Sequence, residues 1–255
     1  MSVLPTNLLH TFSKSTNFFQ IIFPLRYLLD IKEIAYGEFP EISDLNPRFK
    51  PKSKKVKATL DIRLSEDIDP GELPAIILQL MKLLPTLEKH QCGESLFANL
   101  KSGETDSSPA PVSSIRSSHP DKITDLAHLM EHTIIDLQSN ITGMDSCSGI
   151  TCGYKNPPYR FDMFIECKDQ TVGLFSVLFT ADLFARLLER GNISRRYKDL
   201  IELAKYMYRN SPQRNAAGPA SVTDHIARQM GLRKNYAGSL IRKLKDLGFF
   251  DDRQI

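Results

Sequence analysis

Residues 123–138, ITDLAHLMEHTIIDLQ, place Ile123, Ala127, Met130, Ile134 and Leu137 at alternating spacings of four and three. That is the period of a helix that buries one stripe, and Gly143 just beyond supplies a stop. His128 and His132 stand one turn apart beside the stripe, so both imidazoles project from one face. Two ring nitrogens so placed are spaced to reach one Zn²⁺ at about 2.0–2.1 Å each. Glu131 points in an adjoining direction, where a carboxylate can take a proton from water that the ion has acidified. The same spacing also suits two ordinary histidines on a solvated polar face.

Outward from this helix, Val56, Ala58, Leu60, Ile62 and Leu64 alternate with Lys57, Thr59, Asp61 and Arg63, the period of a half-buried strand. A second strand is expected at Phe161, Met163, Ile165 and Cys167. Between them a helix follows Asp69-Pro70-Gly71, with Leu73, Ile76, Ile77, Leu80 and Leu84 on one face. Another runs from about Thr171 to Arg190. The serine- and proline-rich stretch 106–118 has too little apolar surface to offset its ordering entropy and is expected to be a mobile loop.

A catalytic zinc usually has three protein ligands plus water. Glu166 is the expected third, since helix–strand packing would bring that strand carboxylate over the histidines; Glu189 and Glu202 are the other candidates. An exposed strand carboxylate is the plain alternative for Glu166. His90 and Cys92 are donors of the right type, although a lone His-x-Cys more often marks packing or a turn. Cys147 and Cys152 are expected to flank a loop turned by Gly149 and Gly153.

From Gly191 onward 13 Lys/Arg face 6 Asp/Glu, which is +7 and leaves −4 for the first 190 residues out of a total of +3. Such asymmetry suggests separate tasks, the basic half being suited to a polyanion. Here Ser221–Arg228, Gly231 and a helix over about Lys234–Leu247 form a helix-turn-helix pattern, preceded by a support helix near Tyr197–Arg209. The second helix offers Arg233, Lys234, Asn235, Ser239, Arg242 and Lys243, residue types that contact phosphates and base edges in a major groove. DNA is the partner expected through residues 220–247. The alternatives are docking to another protein or a solvated basic face.

The fold class expected is α+β. A mixed domain over 1–190, with a small antiparallel sheet packed by helices, precedes an all-α helix-turn-helix domain of winged-helix-like type over 191–255. The four cysteines form no CxxC pair and no secretory pattern precedes them, so a cytoplasmic protein with reduced thiols is expected. The apolar stretch 17–29 is broken by Gln20, Pro24 and Arg26, too short to span a membrane. No GxxxxGK[ST] phosphate loop occurs.

HxxEH is the inverted order of the HExxH motif, as in pitrilysin-type zinc peptidases. More broadly, residues from about Phe18 to Leu188 resemble the N-terminal domain of cyanophycin synthetase. The resemblance is carried by PLRYLLDIKEI at 24–34, LPTLEKHQC at 84–92, LAHLMEHTIIDLQ at 126–138, Gly143-Met144, and Phe164-Ile165-Glu166 followed by Val172-Gly173. It implies an α+β domain that engages an arginine-and-aspartate polymer and in some members cuts it with zinc. By that analogy His128 and His132 would be ligands, Glu131 the base and Glu166 the third ligand, with a peptide or cyanophycin-like polymer as substrate. The family's glycine-arginine stretch after the helix is replaced by GITCG at 149–153, and 106–123 reads as an insertion. The synthetases' ATP-dependent ligase stretches have no counterpart in these residues, so hydrolysis is expected rather than synthesis.

Overall fold

The structure is a computed structural model that describes residues 27–42, 52–64, 72–89, 119–144, 147–190, 192–210 and 219–250. The loop expected at 106–118, His90 and Cys92 lie outside the described residues. Four strands, β1 (Tyr27–Gly37), β2 (Lys55–Leu64), β3 (Gly149–Gly153) and β4 (Arg160–Glu166), form one antiparallel sheet in the order β1-β2-β4-β3. Among the described residues the helices that accompany it are α1 (Glu72–Leu83), α2 (His119–Thr142), α3 (Gln170–Arg190), α4 (Arg195–Arg209), α5 (Pro219–Gln229) and α6 (Lys234–Asp246). A 3-10 turn at Pro85–Lys89 follows α1.

Alternation on β2 sorts the sheet into two faces. Val56, Ala58, Leu60 and Ile62 join Phe161, Met163 and Ile165 of β4 in the core beneath the helices. The opposite face is a charged lattice: Arg160 donates to both oxygens of Asp61 (2.7 and 3.0 Å), Thr59 Oγ1 donates to Asp162 (2.6 Å), and Lys57 reaches Asp162 at 3.4 Å. Asp61 is buried there, and the two hydrogen bonds from Arg160 hold its carboxyl below the usual range.

Two strands went unread in the sequence for identifiable reasons. In β1 the pairing passes from Ile31↔Leu60 to Glu33↔Thr59, leaving Lys32 as an extra residue. Such a bulge breaks the period of two. β3 is five residues long with glycine at both ends and contains Cys152, so it corrects the expectation of a loop there.

The central helix also exceeds its expectation. α2 is 24 residues long and has no solvated face along its middle, because Glu131, His132, Thr133, Asp136 and Gln138 are all buried with the apolar stripe. It is enclosed by the sheet, α3 and α4. Gly143, at φ 71°, ends its ordered stretch, its N–H donating to Ser139 O.

α3 starts at Asp169, whose carboxylate accepts from Val172 N (2.9 Å) as an N-cap. Its Gly173 lies on the sheet, where a Cβ would stand 2.5 Å from Cys167 Sγ and 3.4 Å from Val56 Cβ. Gly173→Ala is therefore expected to cost about 1–3 kcal/mol as overpacking, and Cys167→Ala in the same chain should restore most of it. Urea melts of the single and double variants measure this, and an equal loss in both would show that the sulfur is not the obstacle. Among the described residues only α3, over Gln170–Glu189, is long and apolar enough to cross a membrane, and 67% of its most apolar stretch is buried within the protein.

The last three helices share the sheet's core. One contiguous cluster runs from Val56 and Met163 through Phe175, Phe179 and Tyr197 to Leu240, Leu244 and Phe249. Asp182 of α3 adds a polar tie, accepting from Tyr197 OH of α4 and Lys243 Nζ of α6 at 2.7 Å each. Leu188 before the boundary expected at 190/191 and Tyr197 after it belong to this same cluster. Gly231 (φ 63°) and Gly248 (φ 76°) end α5 and α6. After Gly231, Leu232 N donates to Ala227 O; after Gly248, Phe249 N donates to Leu244 O. These left-handed caps favour glycine. No strand follows α6 among the described residues.

Candidate functional site

On α2, His128 Nε2 and His132 Nε2 lie 2.9 Å apart, with the ring centroids 4.6 Å apart. The two nitrogens therefore face each other and share a hydrogen bond, one ring donating and the other accepting. Nitrogens about 2.0–2.1 Å from a tetrahedral ion stand about 3.3 Å from each other, so parting by a few tenths of an ångström would admit one. Burial holds His128 below the usual imidazole range, with Asp125 opposing that shift. The lowered value favours the neutral ring, the form that ligates.

Glu131 leaves the same turn toward the sheet. Thr151 Oγ1 of β3 donates to its Oε2, and the backbone of Gly149 lies under the carboxylate. A Cβ at Gly149 would stand 2.6 Å from Glu131 Oε1, so this approach needs glycine on the strand. Glu131 is 4% exposed. Burial raises its carboxyl to about 7, against the Thr151 hydrogen bond that lowers it. A carboxyl titrating near neutrality is suited to exchange protons with a substrate or water.

Glu166 is not brought to the histidines. It extends from the charged face of the sheet, where its Oε1 accepts from Ser53 Oγ (3.0 Å), while α2 packs on the other face. The parity of the strand decides this: Phe161, Met163 and Ile165 point to the helices, so Glu166 points away. Its assignment as third ligand is corrected accordingly. Glu202 is paired with Lys205 at 3.1 Å, and Glu189 is exposed on α3. Cys147 donates its thiol to Glu166 O (2.9 Å), and burial above all, with the charges of Glu166 and Glu131, pushes it up to about 12, which keeps the sulfur protonated. Among the described residues no three His, Cys, Asp or Glu side chains gather in a group that could hold a metal ion. His128 and His132 thus supply two nitrogen donors, and the described residues supply no third protein ligand.

The basic residues of the helix-turn-helix pattern separate into two sets. Arg233, at the N-cap of α6, and Asn235 and Arg242 on the helix are exposed. Lys234 pairs with Asp224 of α5 at 2.8 Å, Lys243 with Asp182, and Ser239 Oγ donates to Tyr236 O (2.8 Å). Arg196 of α4 and Lys245 of α6 join Ser239, Arg242 and Lys243 around one cleft. Neither was singled out in the sequence; Arg196 was hidden because it sits on the support helix, 46 residues before Arg242.

Fold and site together define an α+β protein with a half-buried His128 and a buried His132 beside a strand-held carboxyl, and a basic helical face. No protein-family model and no curated protein matches the chain.

Proposed function

We propose that the chain is a zinc-dependent hydrolase that cleaves a peptide or isopeptide bond. The observation that carries it is the close approach of the His128 and His132 Nε2 atoms on the helical turn that also bears the buried Glu131 carboxyl. Zinc bound there would act as a Lewis acid toward the scissile carbonyl and acidify water. His128 and His132 would hold it through Nε2. Glu131 would receive and return the proton at its carboxylate, and Thr151 orients that carboxylate from β3. The resemblance of residues 18–188 to the N-terminal domain of cyanophycin synthetase supports this reading and points to an arginine-and-aspartate polymer as the substrate class.

The expected result is one zinc per chain in metal analysis, lost in His128→Ala and His132→Ala and kept in Glu166→Ala. Saturation at about 100-fold over Kd should stabilise the protein by about 2.7 kcal/mol. Absence of any zinc-dependent rise in melting temperature would rule the reading out.

A second reading concerns α4–α6, which we take as a helix-turn-helix unit that binds DNA, in the cytoplasm. It is favoured by the glycine cap at Gly231 between α5 and α6 and by the exposure of Arg233, at the N-cap of the second helix, and of Asn235 and Arg242 on it.

A further inference from the structure

We propose that the cleft between the first turn of α4 and the C-terminal half of α6 seats a backbone phosphate of duplex DNA. The proposal rests on the helix-turn-helix reading of α6 and adds where the backbone is gripped. The cleft has a volume of about 440 Å³ and is lined by Arg196, Ser239, Arg242, Lys243, Lys245 and Asp246. Arg196, Arg242 and Lys245 thus face Asp246, while the charge of Lys243 is met by Asp182. The cations come from two walls, since Arg196 belongs to α4 and the others to α6.

Arg196 is held across the cleft, its Nη2 3.5 Å from Ser239 O, at the middle of α6. Lys243 gives its ammonium to Asp182 at 2.7 Å, so it shapes the wall of the cleft and leaves the anion to the other cations. Arg196 and Arg242 are exposed on opposite walls, and planar guanidinium forks match phosphate oxygens two at a time. A phosphodiester between them would meet preformed donors.

The position along α6 distinguishes DNA from a free anion. Asn235 and Arg242 are seven residues apart, about 10 Å along nearly one face of the helix. Arg233 and Asn235 lie at the end that enters a major groove, and the cleft lies at the end where such helices meet the flanking backbone. Polar readers and phosphate clamp are therefore in the order a groove-bound helix requires.

The test is fluorescence anisotropy of the full chain with labelled duplex DNA of mixed sequence, repeated over a range of salt. Arg196→Ala and Arg242→Ala should each weaken binding several-fold for every sequence and reduce the slope of log K against log salt by about 1. Arg196→Lys should recover part of the affinity. The melting temperature reports that the exposed substitutions leave the fold intact. If Arg233→Ala and Asn235→Ala weaken binding while Arg196→Ala and Arg242→Ala change neither affinity nor slope, the cleft is not the clamp and the helix reading survives. If the unmodified chain shows no binding at about 50 mM salt, where phosphate contacts are strong, both fall together.

Discussion

Glu131→Gln is expected to leave zinc bound and to lower hydrolysis by about 10²–10⁴-fold, the range that a positioned general base contributes. The amide is nearly isosteric and can still accept from Thr151, so the strand contact at Gly149 should survive. What it removes is the proton exchange. The same substitution has a second signature in zinc-free protein. The folded carboxyl titrates at about 7 against an ordinary value of 4.5, so between those values the folded state binds more protons than the unfolded one. Stability is then fully present below pH 4.5 and declines as pH rises to 7. A separation of that size is worth about 3 kcal/mol for a well-buried group. Urea melts at pH 5 and pH 7.5 should show the decline in the unmodified chain and its loss in the Gln variant. Parallel pH profiles for the two proteins would show that Glu131 is not held at that value, and undiminished hydrolysis would remove it as the base.

Phe175→Ala is the second large effect. Phe175 is fully buried, with its ring 5.3 Å from Phe179 and 5.0 Å from Phe249, so one side chain joins α3 to the segment that closes the C-terminal helices. Truncating a buried phenylalanine costs about 3–5 kcal/mol, on the order of 10 °C in melting temperature for a chain of this size. Because the buried cluster is continuous from the sheet to α6, the variant should still melt in one transition, merely earlier. Calorimetry measures this. Two separated transitions, or a loss confined to the helical C-terminus, would show that residues 191–250 hold together independently of the sheet.

Glu166 marks the limit of spacing arguments. Its strand was expected from alternation, and the alternation was right, but choosing it as a ligand required knowing which face α2 covers. That choice is made by packing: Thr151 and Gly149 present the helix-covered side, and the parity of β4 then sends Glu166 to Ser53 and the charged face. Lys243 teaches the same lesson in α6. Its place in a basic run suggested DNA, while Asp182, 61 residues earlier, occupies its ammonium.

By itself the amino-acid sequence determined the helices, the two regularly alternating strands, the glycine that separates α5 from α6, and the adjacency of His128, Glu131 and His132. All of these depend on residues within a few turns of one another, where backbone periodicity is enough. Only the tertiary structure decided the bulged strand β1, the short strand β3 under Glu131, the removal of Glu166 from the histidines and the gathering of Arg196 and Arg242 around one cleft. Those relations join positions far apart in the chain, and the burial of a shared core, rather than local spacing, brings them together or keeps them apart.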